Sequence, residues 1–142
     1  MQENKKKVGG SAKTIFTVVI LVLVAATLFA PLKTNGHLSD NALIYGASLN
    51  MHQVNLPYSE IESVAYDEAF VRGNRAYGVG TMMIEWGSFN NTALGKYDLC
   101  AVKSVPACII VKTKEGKTYA FNIENAQRTK EFYESLSGIL SL

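Results

Sequence analysis

Residues 97–123 read YDLCAVKSVPACIIVKTKEGKTYAFNI. Three runs in this stretch alternate with a period of two, as strands with one covered face do. Tyr97, Leu99 and Ala101 share one face of 97–103. Ala107, Ile109 and Val111 share one face of 107–113, and 118–123 alternates in the same way. A turn centred on Ser104 sets Tyr97 opposite Val111, Leu99 opposite Ile109 and Ala101 opposite Ala107. Lys114-Glu115-Gly116 suits a bulged three-residue hairpin with glycine in the left-handed position. That loop sets Val111 opposite Tyr119 and Ile109 opposite Phe121. A two-residue loop would face Ile109 with Asn122. A one-residue slip exchanges the two faces, so the hydrophobic pattern selects the first register.

The register about Ser104 also places Cys100 opposite Cys108. Facing positions of an antiparallel pair lie about 4.5–5.5 Å apart at Cα, close to disulfide range. A cross-strand disulfide is one reading. Two small, partly buried thiols are the other. A metal site is not expected, since zinc takes four ligands and no histidine is near.

Working outward, Asn125 is a helix N-cap. Beyond it Thr129, Phe132, Tyr133, Leu136, Ile139 and Leu140 recur at helical spacing, with Lys130, Glu131 and Glu134 opposite, which predicts an amphipathic closing helix packed on the sheet. On the N-terminal side, 42–45 and 49–54 read as short strands around Gly46-Ala47-Ser48, and Pro57 ends the second. Ile61, Val64 and Tyr66 mark a further segment. A Gly-rich region covers 72–80, with strand-like pieces over 82–89.

Residues 15–32 (IFTVVILVLVAATLFAPL) carry no charge. A bilayer span needs about 17–25 residues, so this run is expected to be a transmembrane helix over 14–32. A signal peptide is disfavoured by the length of the run, by Phe29 in the would-be cleavage site and by Pro31 after it. Lys5, Lys6, Lys7 and Lys13 precede the run and act as topology determinants. They leave the N-terminus cytoplasmic and send the remainder out of the cytoplasm as a membrane-anchored domain. The expected division is a disordered basic tail at 1–13, the helix at 14–32, a connector at 33–41 and a domain at 42–142.

The formal charge of +2 divides unevenly. Residues 1–13 hold four lysines and Glu3, a net of +3; residues 33–142 hold ten Lys/Arg against eleven Asp/Glu, a net of −1. A nearly neutral domain is not a nucleic-acid binder, which would carry a clustered basic face.

Ile44-Tyr45-Gly46, the segment 57–64 (PYSEIESV), the 78–87 region, Lys96-Tyr97, the segment 109–119 (IIVKTKEGKTY) and Phe121-Asn122 follow one another in an order that resembles the bacterial pleckstrin-homology-like (PH-like) family. The resemblance spans most of 40–140. It implies a mainly β fold with α: a bent, partly open antiparallel barrel of about seven strands, capped by the C-terminal helix. Lipid-binding relatives carry basic residues in the first hairpin loop. Here that loop is Gly46-Ala47-Ser48, so no phosphoinositide is expected.

Nothing marks a catalytic set or a cofactor. His37 sits in the connector, and His52 reads as an exposed strand residue. Gly78-Val79-Gly80 lacks the later glycine of a dinucleotide loop and reads as a turn or bulge. Glu60 and Glu62 flank Ile61 on a solvated edge. Asn90-Asn91-Thr92 matches a glycosylation acceptor, relevant only in a host that glycosylates. Arg72, Arg75, Tyr77 and Trp86 have the composition of a binding patch. The alternative is that Trp86 and Tyr77 fill the barrel while the arginines sit in solvent. The expected function is a non-enzymatic module that binds a protein or peptide or serves assembly, by adding a strand to an open edge. The alternative is a small-ligand or lipid sensor using the barrel mouth.

Overall fold

The computed structural model describes residues 9–29 and 31–141, with side chains described for 11–27 and 31–141. The chain divides into two units, Met1–Pro31 and Leu32–Leu142.

In the first unit, helix α1 spans Gly9–Phe29. Its first turn is Gly9-Gly10-Ser11, and Lys13 follows. Pro31 lies beyond its end, and Leu32 belongs to the buried core of the second unit. The apolar helical part is therefore Ile15 to Phe29, 15 residues, which at 1.5 Å each is about 22 Å against a hydrocarbon core of roughly 30 Å. Among the described residues no helix is long and apolar enough to cross a membrane. The expected span at 14–32, the membrane anchor and the extracytoplasmic placement are corrected accordingly. Lys5, Lys6, Lys7 and most of the expected disordered tail lie outside the described residues. Lys13 is part of α1.

The second unit has nine strands and a closing helix. Strands β1 (Thr34–Leu38), β2 (Ala42–Ala47) and β3 (Gln53–Pro57) form an antiparallel three-stranded sheet. Strands β4 (Ile61–Asp67), β5 (Asn74–Gly80), β6 (Ile84–Asn91), β7 (Gly95–Val102), β8 (Cys108–Thr113) and β9 (Thr118–Phe121) form a six-stranded sheet in the order β4-β8-β9-β7-β6-β5. The two sheets do not close into a barrel, and β7 and β9 are parallel, so the expected seven-stranded antiparallel barrel is corrected. The connector expected at 33–41 contains β1.

The β8–β9 hairpin follows its sequence pattern. Val111 faces Tyr119, Ile109 faces Phe121, and Gly116 has φ +86° in the loop. Helix α2 (Ala126–Leu140) starts where Asn125 accepts a bond from the Arg128 amide at 2.9 Å. Thr129 and Leu136 are its buried residues. The expected β7–β8 hairpin about Ser104 is absent: β9 lies between the two strands.

Both faces of the six-stranded sheet are covered. On the inner face Leu43, Tyr45, Leu56, Ile84, Cys100, Ile109, Val111 and Phe121 pack with Leu136 of α2. The Tyr45 and Phe121 rings stack at 4.0 Å. On the outer face Phe70, Phe89, Tyr97, Leu99, Ala101, Cys108 and Ala120 form a second cluster. Its lid is the strap joining β4 to β5, residues 68–73, which links opposite edges of the sheet.

Candidate functional site

The β5–β6 hairpin is where the sheet runs out of cover. All seven residues of β5 are exposed, and β5 has a neighbour on one side only. Tyr77 is 81% exposed and Val79 49%; Met82, in the turn to β6, is 78% exposed and Val71, in the strap, 73%. An apolar edge strand presents unpaired backbone groups beside side chains that gain from burial. A bulge at Ala76 interrupts the ladder between Arg75 and Tyr77. From Tyr77 to Gly80 the pairing is regular, opposite Ser88 to Glu85. Gly78 and Gly87 face each other with φ of +131° and +134°, and a Cβ on either would press on the carbonyl of Trp86 or Tyr77. Glycine is thus required at both positions for the two backbones to approach.

The four residues grouped from sequence separate into different roles. Tyr77 lies on the open edge, and Trp86, opposite Val79, is half-buried against the inner core. The Arg75 guanidinium stands beside Gly80 on the same strand. Arg72 is not a surface cation. It pairs with Glu85 at 2.8 Å and donates to the carbonyls of Val102 at 2.8 Å and Val105 at 2.9 Å. The Tyr97 hydroxyl donates to the Arg72 carbonyl, and Asn91 Nδ2 donates to Val71 O at 2.7 Å. Arg72 therefore anchors the strap. The alternative, aromatics inside and arginines in solvent, is reversed for Tyr77 and Arg72.

A second constellation was not singled out from sequence. Cross-strand partners share a face, so Tyr77, Ser88, Asp98 and Tyr119 form one row across β5, β6, β7 and β9. Over that row the three-stranded sheet brings Tyr45 from β2 and His52 from the β2–β3 turn. His52 Nε2 is 3.3 Å from Asp98 Oδ1, without hydrogen-bond alignment. The Tyr45 hydroxyl and Ser88 Oγ are buried with no hydrogen-bond partner among the described residues. Tyr45 is 1% exposed. Burial first, and then the Asp98 charge, push its phenol well above the ordinary range, so it keeps its proton. His52 thus departs from the exposed strand residue expected of it. Asp98 lies 46 positions away, beyond any local pattern.

Cys100 and Cys108 are free and buried. With β9 between their strands they are two strand spacings apart, roughly 9.6 Å, beyond bridging range. They also face opposite ways, Cys100 into the inner core and Cys108 into the outer cluster. The facing geometry expected for a disulfide is thus corrected. Burial, chiefly, pushes both thiols up to about 12, which leaves them poor nucleophiles at neutral pH. Among the described residues no three His, Cys, Asp or Glu side chains group to hold a metal.

Two sheets meeting over β7, a helix closing the inner core and an uncovered edge describe a small β module. A family model, Bacterial PH domain, matches residues 38–137, and the chain belongs to that family. No curated protein matches, and no solved structure matches.

Proposed function

We propose that this PH domain is a non-enzymatic binding module, and that β5 takes an extended segment of a protein partner as an added strand. The supporting observation is the edge itself. It is exposed over its whole length, carries Arg75 as its one charge, and presents Tyr77 and Val79, with Met82 exposed in the turn just beyond it. Edge strands are ordinarily blunted with charge, proline or a covering element. Here the bulge at Ala76 blunts only the first part. Main-chain pairing would supply affinity, and contacts with Tyr77 and Val79 would supply selectivity. The sensor reading loses its barrel mouth, because the sheets stay open and the stacked Tyr45 and Phe121 fill the space between them.

The test is selection of peptides from a random display library on the folded protein. Selected peptides should slow hydrogen exchange at the β5 amides. They should lose binding to the Tyr77→Lys/Val79→Lys variant, whose stability should change by no more than about 0.5 kcal/mol because both side chains are exposed. Peptides that protect another surface, or bind the variant equally well, would refute strand addition.

A further inference from the structure

We infer that the segment added to β5 carries an acidic side chain, held by Arg75 and Lys103 over Gly80, and that it reads acid-apolar-any-apolar from its N-terminus. This rests on the strand addition proposed above and names the chemistry of the partner. The two faces of β5 differ. Gly78 and Gly80 pair with Gly87 and Glu85, which pair in turn with Leu99 and Ala101 of the outer cluster. Val79 pairs with Trp86, and Trp86 with Cys100 of the inner core. Cross-strand partners share a face, so the glycines open the outer face while Tyr77 and Val79 make the inner one apolar. Over the outer face, a Cβ on Gly80 would press on Arg75 Nη1 and stand 3.6 Å from Lys103 Nζ. Two cationic ends thus converge on the space that a side chain would take. Among the described residues the ion pairs use Lys33, His52, Arg72, Lys117 and Arg128, so Arg75 and Lys103 stand without an acid. Glu85, opposite Gly80, is already held by Arg72 at 2.8 Å.

The charges and the register select the segment. Two convergent cations without a counter-charge repel each other and attract an anion. A strand on the free side of β5 sets one residue opposite Gly80, with its Cα about 4.5–5.5 Å away and its side chain on the same face. Gly80 has no side chain to contest that space. A carboxylate there meets the Arg75 fork and the Lys103 ammonium together. The next residue of an antiparallel partner changes face and lies opposite Val79, the third is opposite Gly78, and the fourth is opposite Tyr77. The second and fourth positions are therefore apolar, and the third is free. Antiparallel pairing also continues the arrangement of β5, β6 and β7. A second copy of β5 does not fit, since residues 74–80 (NRAYGVG) bring another Arg75 and no acid.

The experiment is a pair of selections from one random peptide display library, on the full chain and on its Arg75→Gln/Lys103→Gln variant. Both side chains are exposed, so the variant should keep its fold. Wild-type peptides that slow hydrogen exchange at the Tyr77 to Gly80 amides should share an Asp or Glu, with apolar residues one and three positions after it. Peptides selected on the variant should keep the apolar pair and lose the acid. Changing the acid to its amide should weaken binding to the wild type about two- to fivefold, as loss of an exposed ion pair does, and should not change binding to the variant. Salt at about 1 M should remove most of that difference. Peptides that protect β5 without an acid, or equal enrichment of the acid on the variant, would overturn the inference and leave strand addition standing. Acidic peptides that leave the β5 amides unprotected, or no selected peptide at all, would overturn both. Phosphatidylserine vesicles that displace the peptides from the wild type would overturn it too, marking the cations as contacts for an anionic lipid surface.

Discussion

The side chain of Asn122 is 1% exposed and completely engaged. Its Oδ1 accepts the Val102 amide at 2.7 Å, and Nδ2 lies 3.2 Å from the carbonyls of Val102, Val105 and Ala107. Its own amide donates to Cys100 O at 3.3 Å. Those groups line the path from β7 to β8, so Asn122 holds β9 in the gap between them. The hydrophobic pattern selected the right β8–β9 register by keeping Asn122 away from Ile109. It did not show that Asn122 would be buried regardless, because a buried amide is legible only once its carbonyl partners are placed. Asn122→Leu should cost about 2–4 kcal/mol by urea unfolding, since it orphans a buried amide and several carbonyls. Asn122→Asp should cost at least as much, because it sets a carboxylate against three carbonyls; a well-tolerated Asp would show that the amide donors matter little. The thiols make a second residue-scale prediction. Cys100 and Cys108 are raised from 9.0 to about 12, so folding favours their protonated form. Their contribution is complete below pH 9.0 and is lost as pH rises toward about 12. Unfolding free energy should therefore fall through that window. The Cys100→Ala/Cys108→Ala variant should show a shallower slope, with a residue of the effect from Tyr97, which is raised to about 12 as well.

Among the elements, those built from neighbouring residues were legible. The β8–β9 hairpin and α2 depend on turn chemistry, capping and periodicity within a few residues. The β7–β8 relation was not legible, because consecutive strands usually pair and the insertion of β9 depends on contacts across 20 positions. Strand β1 was missed because TNGHL has no apolar alternation: it is held by pairing with β2 and by Thr34, which is buried and accepts the Glu124 amide at 3.3 Å. The strap 68–73 was equally silent. Phe70 buries beneath it, its amide bonded to Pro106 O at 2.9 Å, and Arg72 ties it to β6 and β7. Arg72→Lys preserves the charge opposite Glu85 but cannot reproduce a fork reaching two carbonyls as well. It should cost about 1–2 kcal/mol and speed hydrogen exchange at Phe70 more than at the β8 amides. Uniform acceleration would mean that the strap opens only with the whole domain.

For the whole molecule, two-sided burial decides what is left to bind. The runs LCAV at 99–102 and CIIV at 108–111 are nearly continuous apolar segments, which is how strands covered on both faces read. Reading them as one-sided strands is what put Cys100 and Cys108 into a facing pair. With the inner face under the three-stranded sheet and α2, and the outer face under the strap, the β5–β6 end is the part of the sheet without cover. The same accounting sets where the folded unit begins. Leu32 and Thr34 are buried, Lys33 N donates to Ser48 Oγ at 2.9 Å, and β1 pairs with β2 from Thr34 to Leu38. A fragment of residues 32–142 should therefore unfold in a single cooperative transition at the temperature of the full chain's second unit. A fragment of residues 42–142, the boundary expected from sequence, exposes the edge of β2, uncovers Leu43 and removes Leu32. It should lose roughly 3 kcal/mol or more, a drop of about 12 °C or greater in Tm for a domain of this size. Calorimetry of the two fragments checks this directly: equal Tm values would show that β1 rests on the domain without supporting it.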